Sequence, residues 1–208
     1  MKYKILIILI IVGLGVLAIR SMPTSPSHTI EGLFYPETKP IPPFQLATTG
    51  GAFTQENLKN QWSLLFFGYT YCPDICPVTL SMLSQMKAKL TQLYPQFAQN
   101  TQFVFVSVDS QRDTPEKLAE YVQFFDNDFI GVTGAIEQIK TLTRQLGIVF
   151  IKKPGNTEDD YLIDHSAQIL LVNPQGQWTG IFSAPHEAEN LTHHYAQMRQ
   201  YLQEHPYE

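Results

Sequence analysis

The chain has 208 residues, 44% of them apolar and only 16% charged, with 14 basic against 19 acidic side chains and a formal net charge of −5. That length suits one well-buried domain plus a tail. No basic stripe exists to meet phosphates, so nucleic acid is excluded as a partner. Two cysteines are too few for a disulfide framework, and a metal, a small molecule or another protein fits the balance better.

Lys2 and Lys4 precede an apolar run from Ile5 to Ile19, which Arg20 closes. As a helix this run rises about 22 Å, short of the ~30 Å hydrocarbon core. Snorkelling by Lys4 and Arg20 and local thinning of the bilayer can cover the gap. No Ala-x-Ala cleavage site follows, because Ala18 and Ser21 straddle Ile19 and Arg20. No cysteine follows closely either, which excludes lipoprotein processing. Residues 1–20 are therefore expected to be an uncleaved signal anchor, a single N-terminal membrane helix with the domain outside. No Arg/Ser-rich transit peptide precedes the run, so the expected place is the bacterial inner membrane with the domain facing the periplasm. Residues 21–43 hold Pro23, Pro26, Pro36, Pro40, Pro42 and Pro43 among Ser and Thr and read as an extended tether.

The domain is expected over residues 44–205, opening with a β-hairpin that turns at Gly50-Gly51 and then a short helical turn over Gln55–Lys59. Leu64–Phe67, Phe103–Val108 and Ile169–Val172 are continuous apolar strands, the pattern of strands covered on both faces. Four helices are expected between and after them. Leu83, Met86, Leu90 and Leu93 share a face of a helix from Pro77 to Tyr94. Leu118, Val122 and Phe125 mark a second, which Asp113-Thr-Pro-Glu116 opens with good capping chemistry. Ile136, Ile139, Leu142 and Leu146 mark a third; Leu191, Tyr195, Met198 and Leu202 mark the last. Asn173-Pro-Gln-Gly176 turns Ile169–Val172 into an antiparallel Trp178–Phe182. A βαβ unit, then a hairpin and a terminal helix, is the thioredoxin order: an α/β fold with a central sheet flanked by helices.

In that fold the loop between the first central strand and its helix carries the chemistry. Here it reads Gly68-Tyr-Thr-Tyr-Cys-Pro-Asp-Ile-Cys-Pro77 and holds both cysteines, Cys72 and Cys76. Pro73 and Pro77 disfavour the α region for the residue before each, so both cysteines are expected on irregular backbone with the helix starting at Pro77. A helix N-terminus beside Cys76 favours thiolate over thiol. Such a pair can close a disulfide, exchange with another disulfide, or grip a soft metal. The spacing is one residue longer than Cys-x-x-Cys. The segment facing the loop, Ile163-Asp-His-Ser-Ala-Gln-Ile-Leu-Leu-Val172, has His165 where thioredoxins place a cis-proline. Two thiolates and an imidazole suit copper, as Cu(I) or Cu(II), and zinc would accept the same set.

These segments, together with Val106-Ser-Val-Asp-Ser-Gln-Arg-Asp-Thr-Pro115 and Asp164-His-Ser166, resemble the Sco/SenC copper-chaperone family over roughly residues 40–205. The resemblance implies a thioredoxin-like fold and one copper ion held by Cys72, Cys76 and His165. It also implies service to the copper-site subunit of cytochrome c oxidase, in assembly of the binuclear copper site. Other periplasmic copper or thiol-redox proteins are further expected partners. Tyr71 departs from the pattern, standing where many members have histidine.

The alternative function is a thiol–disulfide reductase that keeps the cysteines of that copper site reduced, with Cys72 and Cys76 as the redox pair. Whether this is a turnover enzyme stays open at this point. A peroxidase expects one peroxidatic cysteine, and the close pair argues against it. Asp164 could orient His165 or could be an ordinary strand-end acid. Asp109, Arg112 and Asp113 could form a docking surface, although Asp113 and Thr114 also read as helix caps. Met82 and Met86 read as core, and His186, His193 and His194 form no clear cluster.

Overall fold

The computed structural model describes residues 33–155, 157 and 160–204. The expected signal anchor over 1–20 and the tether as far as residue 32 lie outside the described residues. Among those described, no helix is long and apolar enough to cross a membrane.

Among the described residues, ten strands and five α-helices follow in chain order. The strands are β1 (Leu33–Pro40), β2 (Gln45–Thr48), β3 (Gly51–Thr54), β4 (Trp62–Gly68), β5 (Thr101–Ser107), β6 (Ile130–Val132), β7 (Phe150–Pro154), β8 (Tyr161–His165), β9 (Ile169–Val172) and β10 (Gln177–Phe182). The helices are α1 (Ile75–Leu93), α2 (Pro95–Ala98), α3 (Pro115–Gln123), α4 (Ile136–Gln145) and α5 (Ala188–Glu204). A 3-10 turn over Gln55–Leu58 follows β3.

Six strands form the central sheet in the order β1-β10-β9-β4-β5-β6. β4 pairs parallel with β5, and β5 with β6, through helical crossovers. β9 returns antiparallel beside β4, Phe66 opposite Ile169. Every residue of β4 and of β9 is buried, which explains their unbroken apolar runs. Gly176, at φ +75°, closes the turn between β9 and β10. α1 packs on α5 and α3 on β6. Met82 and Met86 lie in the core, as their helical spacing suggests.

The hairpin β2–β3 pairs Gln45 with Thr54 through Thr48 with Gly51. Ala47 ties it to the body by exchanging backbone hydrogen bonds with Thr133, at 2.6 and 3.0 Å.

Two expectations need correction. The stretch assigned to the tether over 21–43 is not all linker: Leu33–Pro40 forms β1, an antiparallel edge strand on β10. Pro36 and Pro40 gave it a linker's look, yet edge strands tolerate proline because one side needs no donors. The helix of the cysteine loop starts at Ile75 rather than Pro77, with Cys76 inside its first turn. Pro77 fits there because the first four N–H groups of a helix have no intrahelical partner. His165 precedes the strand that flanks β4, in keeping with its expected place before Ile169–Val172. It ends β8, which with β7 makes a separate two-stranded sheet, and only β9 joins the central one.

Candidate metal centre

β4 ends at Gly68, and the next residues carry the chain over the top of the sheet into α1. Gly68 is required by packing: a Cβ there would overlap the Cys76 sulfur and come within 2.8 Å of the Phe105 ring. The Cys72 amide donates to the Tyr69 carbonyl at 3.2 Å, which curls the loop. Both cysteines are free thiols and both are buried, Cys76 completely and Cys72 to 8% exposure.

His165 arrives from the other side. Its Nε2 lies 3.2 Å from Cys76 Sγ, and one ligand atom from each of Cys72, Cys76 and His165 lies within 4.8 Å of the other two. Among the described residues this is the one His/Cys/Asp/Glu group with metal-binding geometry. The imidazole packs edge-on against Phe66 and Tyr69, with ring centres 6.1 and 5.9 Å away. Its Nδ1 lies 3.1 Å from the Ser166 carbonyl oxygen. A carbonyl only accepts, so Nδ1 carries the proton and Nε2 presents its lone pair to the sulfurs. That is the ligand tautomer, fixed by a backbone partner behind the ring.

The two thiols are electrostatically unequal. Cys72 is drawn down to about 4, chiefly because it accepts a hydrogen bond from Cys76, with burial opposing. Burial pushes Cys76 far above the ordinary thiol range, and the neighbouring Cys72 adds to this. Their shared hydrogen bond therefore favours Cys72 over Cys76 as the first of the two to lose its proton. Sequence reasoning favoured the thiolate at Cys76 through the helix N-terminus; complete enclosure of that sulfur outweighs the helix dipole.

The other candidate residues sort by contact. Asp164 points away from the centre, two-thirds exposed, and pairs with Lys153 at 3.1 Å; it does not orient His165. Asp74 makes no side-chain cap to α1. Thr114 is the N-cap of α3 and accepts from the Lys117 amide. Asp113 is not a cap. It is buried and accepts from the Thr70 amide at 2.9 Å, the Thr70 hydroxyl at 2.5 Å and the Ser107 hydroxyl at 2.6 Å. Asp109 is buried too, accepting from Arg112 Nε and from the Tyr161 hydroxyl, each at 2.6 Å. Tyr71 lies half exposed over the site's rim, beneath the Arg112 guanidinium and the Lys117 ammonium. His186 contacts the Ala167 carbonyl and His193 the Tyr94 hydroxyl, away from the centre. Tyr69 was missed by sequence reasoning. It is buried, contacts His165 through its ring and accepts from the Ile163 amide at 3.0 Å. Its place next to the glycine that ends β4 was the one available signal.

Residues 36–200 match the sequence model of the SCO1/SenC family. A Stutzerimonas stutzeri protein whose name proposes copper binding is 38% identical over 160 residues, covering 76% of each chain. The mitochondrial SCO2 homolog of Bos taurus is 38% identical over 136 residues, 65% of this chain and 50% of its own length. The chain thus spans about half of that mitochondrial relative. Among solved structures, the Arabidopsis thaliana ScoI with copper bound is 34% identical, with a TM-score of 0.71 over 77% of this chain and 98% of its own. With the thioredoxin order in its sheet and the cysteine pair facing a histidine, the chain belongs to the SCO1/SenC family.

Proposed function

We propose that this protein binds one copper ion through Cys72, Cys76 and His165 and delivers it to the binuclear copper site of cytochrome c oxidase during assembly. The observation that carries this reading is the convergence of the three ligand atoms within 4.8 Å. The donor set fits the ion. Cys72 is the more acidic of the two thiols, His165 offers an unprotonated Nε2, and soft sulfur with imidazole is a copper set. A copper ion would supply the charge that drives the last proton from Cys76 out to solvent, which leaves the Nε2 lone pair free for the metal. Copper is cargo here, so the site has to release it as well as hold it, and a rim open at Tyr71 suits exchange with a partner's ligands. The copper-bound relative and the copper-related name of another support the choice of metal.

Residues 1–20 would anchor the chain in the bacterial inner membrane with the domain in the periplasm, a reading that rests on the apolar run and its flanking charges. The chain before Leu33 would then be the tether. The thiol–disulfide reductase reading uses the same two sulfurs but leaves the oriented imidazole without a task, and is the less supported.

Copper titration of the reduced full chain tests the proposal. One equivalent should bind, and both Cys72→Ser and His165→Ala should weaken it by at least about tenfold. Equal affinity in wild type and His165→Ala, with undiminished turnover of a disulfide substrate, would move the assignment to the reductase.

A further inference from the structure

His165 is carried on a hairpin that hydrogen-bonds to no strand of the central sheet, so something else must hold it against the cysteines. The hairpin's own base is tied by the Ser166 amide to the Val149 carbonyl and by the Val149 amide to the Ser166 hydroxyl. Those bonds stiffen the hairpin without attaching it to the body.

Tyr161 and Ile163 bury their side chains in the core, and the hairpin's polar ties come largely from one loop, the residues just after β5. The Tyr161 hydroxyl donates to Asp109 Oδ1 at 2.6 Å. Arg112 Nη1 donates to the Tyr161 carbonyl at 3.0 Å and its guanidinium lies 3.5 Å from the Tyr161 ring centre. Lys152 Nζ donates to Gln111 at 3.2 Å. Asp109 is itself held by Arg112 Nε on its second oxygen. Outside that loop, the Ile163 amide donates to the Tyr69 hydroxyl at 3.0 Å. A cavity of about 350 Å³ opens beside the clasp, lined by Val108 and Ile136 of the body and Phe150 and Ile163 of the hairpin. The same loop, through Asp113 and Thr70, also holds the cysteine turn.

We propose that Asp109 and Tyr161, braced by Arg112, form a positioning clasp that seats the His165 hairpin against the cysteines. Release of the clasp would remove the third ligand while leaving both sulfurs in place. The inference rests on the metal reading above, and it makes the hairpin a detachable arm: docked for holding copper, lifted for giving it away. Buried charge-assisted hydrogen bonds suit such a catch, because they are strong when aligned and are lost together when geometry fails.

Two variants test this, Tyr161→Phe and Asp109→Asn, each in the full chain. Without metal, amide hydrogen exchange reads docking directly. Amides of β7 and β8, Ile163 among them, should exchange faster by roughly tenfold, the scale of one charge-assisted bond, while β4 and β5 keep their protection. With Cu(II), each variant should still take one ion and keep sulfur-to-copper charge transfer. Affinity should fall roughly 10- to 100-fold, and the histidine-nitrogen hyperfine signal should weaken toward that of His165→Ala. The clasp is overturned if hairpin exchange and the copper spectrum match wild type, or if exchange rises equally in every strand, which is general destabilisation. A wild-type chain that takes up no copper overturns the underlying metal reading, and the exchange arm, needing no metal, tells that failure from failure of the clasp.

Discussion

Two small features at the residue scale make the centre possible. Gly68 leaves room for the Cys76 sulfur, and the Ser166 carbonyl selects the tautomer of His165. Gly68→Ala should preserve the sheet, because its backbone pairing with Ser107 is unchanged, but must push the sulfur or the Phe105 ring aside. Overpacking of this kind costs about 1–3 kcal/mol, and the displaced sulfur should weaken copper binding. Urea denaturation and copper titration of the variant check both, and a native copper affinity would show that the contact at Gly68 is not what places Cys76.

At the scale of elements, β1 matters most for where the folded unit begins. It covers β10, which would otherwise be an exposed edge with unpaired backbone groups. Thr38 adds a hydroxyl bond to Gln177 at 2.8 Å. A chain starting at Phe44 should therefore be less stable than one starting at Leu33, by about 2 kcal/mol or more at roughly 0.5–1.5 kcal/mol per lost bond. Equal urea midpoints for the two would return the boundary to residue 44. α3 shows the opposite case, in which local chemistry suffices: Thr114 caps it and Pro115 starts it, as the residues themselves suggest.

Across the whole molecule, buried tyrosines link the fold to alkaline pH. Burial raises Tyr195 above the ordinary phenol value of 10. Burial, then the hydrogen bond to Asp109 and its charge, pushes Tyr161 up to about 12. The unfolded chain releases these protons near pH 10 while the folded one keeps them, so the folded state binds more protons in that window and stability falls as pH rises. The contribution is complete below pH 10 and lost toward 12. Unfolding free energies measured at pH 8, 10 and 11 should fall over the last two. Tyr161→Phe should flatten that fall, since Phe has no proton to lose.

Much of this protein was legible in its residues. Continuous apolar runs marked β4, β5 and β9, because strands buried on both faces need no polar alternation. Helical spacing marked α1, α3, α4 and α5, and the cysteine spacing with His165 marked the centre, because soft-metal ligands are few and chemically distinct. What the tertiary structure decided is relational. β1 exists only because β10 offers an edge, and no local pattern announces that. Enclosure by the fold makes the Cys76 proton harder to remove, whereas its neighbours in sequence argued for a thiolate. Asp113 and Asp109 read as a cap and a surface acid until packing buried them and aimed one at the cysteine turn and the other at the histidine hairpin. Residue type sets which interactions are available; burial and distance, which only the folded chain defines, set which of them prevail.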